Sequence, residues 1–69
     1  MTCDELAKLI KPNDSVTTTL GKTCIVGAIE QDERGRWWIV PEGAHDWTWY
    51  IPVANVCTLN DAPVQLEAG

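Results

Sequence analysis

Phenylalanine is absent from this 69-residue sequence, and methionine, tyrosine and histidine occur once each. No apolar run approaches the ~18 residues of a membrane-spanning helix, so a helical membrane protein is excluded. No glycine-rich phosphate loop, nucleophile elbow or helical His-Glu-x-x-His is present, and the enzyme classes read from those motifs drop out. C-x-x-C pairs are missing and His45 is the only imidazole, so zinc-ligand spacing is absent and no metal or other cofactor is expected. Positive charge is scarce as well. Five Lys+Arg stand against ten Asp+Glu, for a net charge of −5, and no basic residue follows Arg36. A basic stripe for phosphates cannot be built from this set, so neither nucleic acid nor an anionic membrane surface is an expected partner. A basic protein partner is compatible with the charge.

Charged residues at 22% and hydrophobic residues at 45% are ordinary globular usage, and the length fits one small domain. Nothing in Met1–Lys11 reads as an export signal, from which a cytoplasmic location and reduced thiols are expected. Cys3, Cys24 and Cys57 are widely spaced, and Cys24 and Cys57 sit among apolar neighbours where a free thiol behaves as a small buried hydrophobe.

Thr2-Cys3-Asp4-Glu5 is a capping-box pattern that opens a helix over residues 3–10. Leu6, Leu9 and Ile10 give it one apolar face, and Pro12-Asn13-Asp14 ends it in turn chemistry. So short a helix holds only by lying on something else. From Ser15 the chain turns to β-branched residues. Strands are predicted over Val16–Leu20, Thr23–Glu30, Arg36–Val40, Trp47–Ile51 and Val56–Leu59, with Gly27 marking a bulge or a close backbone approach. Val53-Ala54-Asn55 suits one tight helical turn, and Asn60–Gly69 suits a tail or a loosely paired extension. The expected fold is therefore mainly β: a small antiparallel five-stranded barrel (13–60), a short N-terminal helix packed on it (1–12) and a C-terminal tail (61–69).

Arg34-Gly35-Arg36-Trp37-Trp38 and Tyr50-Ile51-Pro52-Val53-Ala54-Asn55-Val56 resemble two segments of Src-homology-3 domains, at similar separation. That family carries a Trp-Trp pair opening its third strand and an aromatic-Ile-Pro segment leading through a helical turn into its last strand. The resemblance implies an SH3-like barrel and a groove for proline-rich peptides, with Trp37, Tyr50 and Pro52 in groove positions. Asn55 stands where the family has an aromatic, and the family's N-terminal Ala-Leu-Tyr-Asp-Tyr run is missing. Pro12-Asn13-Asp14-Ser15-Val16 is similar to the entry segment of SH3-like barrels in bacterial proteins. A fainter likeness, at Ile25-Val26-Gly27, Ala44-His45 and Ile51-Pro52-Val53-Ala54, is to plasmid-borne, trimethoprim-insensitive dihydrofolate reductases. It implies a pore-forming homo-oligomer, although Thr48-Trp49-Tyr50-Ile51 lacks the Gln and Tyr of their essential run.

A small barrel cannot hide four indoles, so one or two are expected at the surface or at a subunit contact. Strand alternation sets Trp37 and Ile39 opposite Trp38 and Val40, and Trp47, Trp49 and Ile51 opposite Thr48 and Tyr50. Trp37 and Tyr50 stand ahead of Trp47 and Trp49 as contact residues. Glu42, His45 and Asp46 share one loop and are the raw material of acid–base chemistry, but loops are polar by default and these three are read as solvated. The expectation is a protein- or peptide-binding module rather than an enzyme, self-associating, with binding residues Trp37, Tyr50, Pro52 and Asn55. The alternatives are an oligomeric enzyme with a pore site, and a phage- or mobile-element-encoded inhibitor of a basic host protein.

Overall fold

A computed structural model describes residues 1–67 of the chain. It contains one helix, α1 (Cys3–Leu9), and six strands: β1 (Ser15–Thr18), β2 (Thr23–Gln31), β3 (Trp37–Pro41), β4 (Ile51–Pro52), β5 (Val56–Leu59) and β6 (Ala62–Pro63). Two 3₁₀ turns, Trp47–Trp49 and Val53–Asn55, flank β4.

The capping box forms as the sequence predicts. The Thr2 hydroxyl accepts the Glu5 amide at 3.2 Å, and the Glu5 carboxylate accepts the Thr2 amide at 3.0 Å. The packed stripe is Leu6, Ala7 and Ile10, all buried, with Cys3 half-buried beside them. This corrects the expected apolar face, because Leu9 lies one step round the cylinder from that stripe and is 52% exposed. The helix stops where Ile10 turns extended and Asn13 adopts φ 77°.

All pairings are antiparallel, in the order β4-β3-β2-β1-β5-β6. β2 belongs to two ladders. Its first half pairs with β1 (Ser15 opposite Ile25, Thr17 opposite Thr23), and its second half pairs with β3 (Ile29 opposite Ile39, Glu30 opposite Trp38). The changeover falls at Gly27, where the register shifts between Val26 and Ala28. A Cβ on Gly27 would stand 3.1 Å from the Val40 carbonyl oxygen and 3.3 Å from Glu42 backbone atoms, so only glycine lets the chains approach so closely. β4 and β6 are the sheet's two edges, and the sheet is not closed by pairing between them.

The core is aliphatic: Leu6, Ile10, Val16, Val26, Ile39, Val53 and Val56. On the second ladder Ile29, Ile39 and Ile51 form a cross-strand row facing it, and Glu30, Trp38 and Pro52 form the neighbouring row. The tryptophans are outside this core, Trp37 alone packing against its margin.

Three predicted elements differ. β1 stops at Thr18, because Gly21 (φ 81°) closes a tight turn back to Thr18 and leaves Leu20 80% exposed. The strand expected over Trp47–Ile51 is instead a 3₁₀ turn, Trp47–Trp49, capped by Asp46, and only Ile51 of that span is in a strand. The sixth strand comes from the segment expected as a tail: Ala62–Pro63 pairs with Thr58–Leu59, and Val64 and Leu66 pack against the core. The last two residues of that segment lie outside the described residues. The helical turn at Val53–Asn55 and β5 at Val56–Leu59 stand where the sequence places them.

Candidate functional site

Asp46 decides how the aromatic segment is presented. Its carboxylate accepts the Thr48 amide at 2.9 Å and also the Thr48 hydroxyl, capping the 3₁₀ turn. The turn then closes through Trp49 N–H to the Asp46 carbonyl and Tyr50 N–H to the Trp47 carbonyl. On the tight turn neither indole has a facing strand to lie on, and Trp47 (77% exposed) and Trp49 (51% exposed) both project into solvent. The His45 and Trp49 rings meet in a T-shaped pair, with centroids 5.2 Å apart and planes at 81°.

The four residues expected to bind do not form one surface. Tyr50, Pro52 and Asn55 line a broad groove with Leu20, Ile25 and Trp49. The groove runs between the β1–β2 turn and the loop after β3. Asn55 also pins the wall, since its carbonyl accepts the Thr19 amide at 2.8 Å. Trp37 is elsewhere. It is half-buried against the core, and its indole N–H donates to Asp4 of α1 at 2.6 Å. It lines a smaller cleft with Cys3, Asp4 and Pro52, and Pro52 is the residue this cleft shares with the broad groove.

A second aromatic pocket lies beyond Tyr50, bounded by Trp38, Trp47 and Tyr50 with Glu30 and Asp32. Trp38 and Glu30 are a directly opposed cross-strand pair, so their side chains share a face. The Asp32 carboxylate organises the adjoining turn. One oxygen accepts the Arg34 and Arg36 amides, each at 2.9 Å, and the other accepts the Trp38 indole at 3.0 Å and Arg36 Nε at 3.2 Å. The Trp38 hydrogen bond, followed by the Arg36 amide, holds its pKa at about 2. The Arg36 guanidinium also lies 5.7 Å from the centre of the Trp38 ring. Desolvation and the neighbouring Glu30 carboxylate push the Tyr50 phenol above its ordinary range.

Asp46 caps a turn, His45 packs on Trp49, the Glu42 side chain is exposed, and among the described residues no group of three His, Cys, Asp or Glu could hold a metal ion. All three cysteines are unpaired and half-buried, and desolvation raises the Cys24 thiol. The sequence reading placed Trp47 and Trp49 behind Trp37 and Tyr50 as contact residues and set both on a strand. The signal for their exposure was Asp46 two residues before Thr48, the spacing of a side-chain-capped turn.

Comparison with protein-family models, with curated proteins and with solved structures gave no match for this chain.

Proposed function

We propose that this chain is a small protein-interaction module of the SH3-like barrel type that self-associates through the groove lined by Leu20, Ile25, Trp49, Tyr50 and Pro52. The barrel reading is supported by the strand order β4-β3-β2-β1-β5, by the bend that shares β2 between two ladders, and by the 3₁₀ turn joining β4 to β5. The observation that carries the function is the exposure of Leu20 (80%), Trp49 (51%) and Ile25 (43%) around one groove. Large apolar side chains gathered in water are costly for a chain with so small a core, and contact with a second apolar surface recovers that burial.

A second copy fits better than a proline-rich peptide. The peptide reading needs Trp37, Tyr50 and Pro52 in one open groove, and Trp37 lies in a separate cleft with its indole on Asp4. The groove in use has an aliphatic wall and a single indole, a surface suited to its own like.

Sedimentation equilibrium over a wide concentration range tests this. The wild-type chain associates reversibly, and Leu20→Ser with Trp49→Ala weakens association by about tenfold or more. Neither residue is buried, so the double variant keeps its fold. A wild-type chain that sediments as a monomer at every concentration, or a double variant that associates equally well, overturns the proposal.

A further inference from the structure

We infer that the pocket bounded by Trp38, Trp47 and Tyr50, with Glu30 at its rim, is a seat for an alkylammonium group, supplied by a lysine side chain of a basic partner protein. This is a second site beyond the self-association groove, meeting it only at Thr48 and Tyr50.

The chemistry follows from what surrounds the space. Three aromatic rings line the space, and a cation held over the face of such a ring is attracted by its quadrupole. One of the rings is fixed before any ligand arrives, since the Trp38 indole N–H is tied to Asp32, and the backbone that carries Trp47 is set by a turn capped by Asp46. The Trp38 ring already draws a guanidinium, that of Arg36, but Arg36 does not line the pocket. Trp47 is 77% exposed and packs into no core, an expensive placement for an indole unless something covers it.

The two nearby carboxylates differ in availability. Both Asp32 oxygens are engaged, by two amides, an indole and Arg36. Glu30 makes no ion pair among the described residues and lies directly across from Trp38. One carboxylate with no cation partner, interacting only with the Tyr50 phenol of the same pocket, beside three rings selects a cation over a neutral group. The apolar walls favour an alkylammonium over a small hydrated metal ion. Arginine is the poorer match, because its planar fork wants a bidentate carboxylate and the one rigidly placed, Asp32, is already taken.

Charge complementarity extends beyond the pocket. The chain carries −5, and every lysine and arginine lies before Trp37 in sequence, so the loop that brings Trp47 contributes no cation of its own. Single-stranded nucleic acid, another ligand for exposed aromatics, is repelled by Glu30, Asp32 and the net charge. The pocket's volume of about 670 Å³ accommodates the end of a lysine side chain together with its methylated forms.

The experiment is a titration of the ¹⁵N-labelled full chain with three blocked amino acids: N-acetyl-lysine methylamide, its trimethylated form, and the neutral isostere bearing a tert-butyl group. Indole N–H signals are the readout. One or both cationic forms should give saturable shifts at Trp38 and Trp47 and leave the Asp4-bound Trp37 signal in place. The neutral isostere should bind about tenfold more weakly or not at all. Trp47→Ala should weaken the cation by about tenfold and Glu30→Gln by several-fold, both at exposed positions where dispersed amide spectra report an intact fold. Neutral and charged forms binding alike, or no saturation with either cation, overturns the inference. Trp49→Ala, which reads the self-association groove, should leave this titration unchanged, so the two proposals fail separately.

Discussion

Two leucines three residues apart on α1 offer a controlled test of how the helix is held. Leu6 is 0% exposed within the core, and Leu9 is 52% exposed on the same seven-residue helix. Replacing either by alanine leaves helix propensity favourable, so only the packing differs. Leu6→Ala removes a fully enclosed side chain between α1, β3 and the Val53–Asn55 turn, at a cost of about 2–5 kcal/mol. Leu9→Ala should stay within about 0.5 kcal/mol. For a chain of this length total stability is on the order of 3–10 kcal/mol, so the first change consumes a large share of it. At about 4–8 °C per kcal/mol the Leu6 variant should melt at least ~6 °C lower than the Leu9 variant. Urea unfolding followed by circular dichroism measures both, and the Trp37 indole N–H signal reports whether the helix stays docked, since Asp4 holds that proton. So short a helix does not persist in isolation, and a loosened α1 should release Trp37 as well. Equal losses from the two substitutions would show that α1 does not dock through the stripe described above.

Two further outcomes are expected. Gly27→Ala should destabilise by about 1 kcal/mol in urea unfolding: the new Cβ meets backbone atoms of Val40 and Glu42 that cannot rotate away, and the entropy lost by the unfolded chain offsets only part of the strain; a neutral or stabilising result would place the bend elsewhere. Asp32 has a folded-state pKa of about 2 against an ordinary 3.8, so its contribution is fully present above ~pH 4 and is lost as pH falls through ~2; Asp32→Asn should flatten the wild-type stability profile in that window, and parallel acid-unfolding curves would refute the assignment.

Local signals in the sequence carried the reading furthest. The capping box at Thr2 and Glu5, the helix stop before Pro12, the turn at Asp32–Gly35 and the 3₁₀ turn after Pro52 depend on neighbours within four residues, and each is where its residues direct. The face of α1 was misjudged at Leu9 because helical spacing alone does not say which edge of an apolar arc meets the sheet. Trp47–Tyr50 was misread for a related reason. Its β-favouring residues also alternate, and a capping carboxylate one residue upstream outweighed that propensity. The aromatic pocket was not legible at all, since it joins Glu30 and Trp38 on one ladder to Trp47 on a loop after β3, and only the tertiary fold sets them side by side.

Both borders of the sheet are two residues long and end in proline, Pro52 in β4 and Pro63 in β6. Proline has no amide hydrogen to offer, and so brief a border leaves scarcely any backbone for a newcomer to pair with. A second molecule therefore has little prospect of extending the sheet by adding a strand, which guards the chain against fibre-like stacking. Partners are left to recognise its side chains.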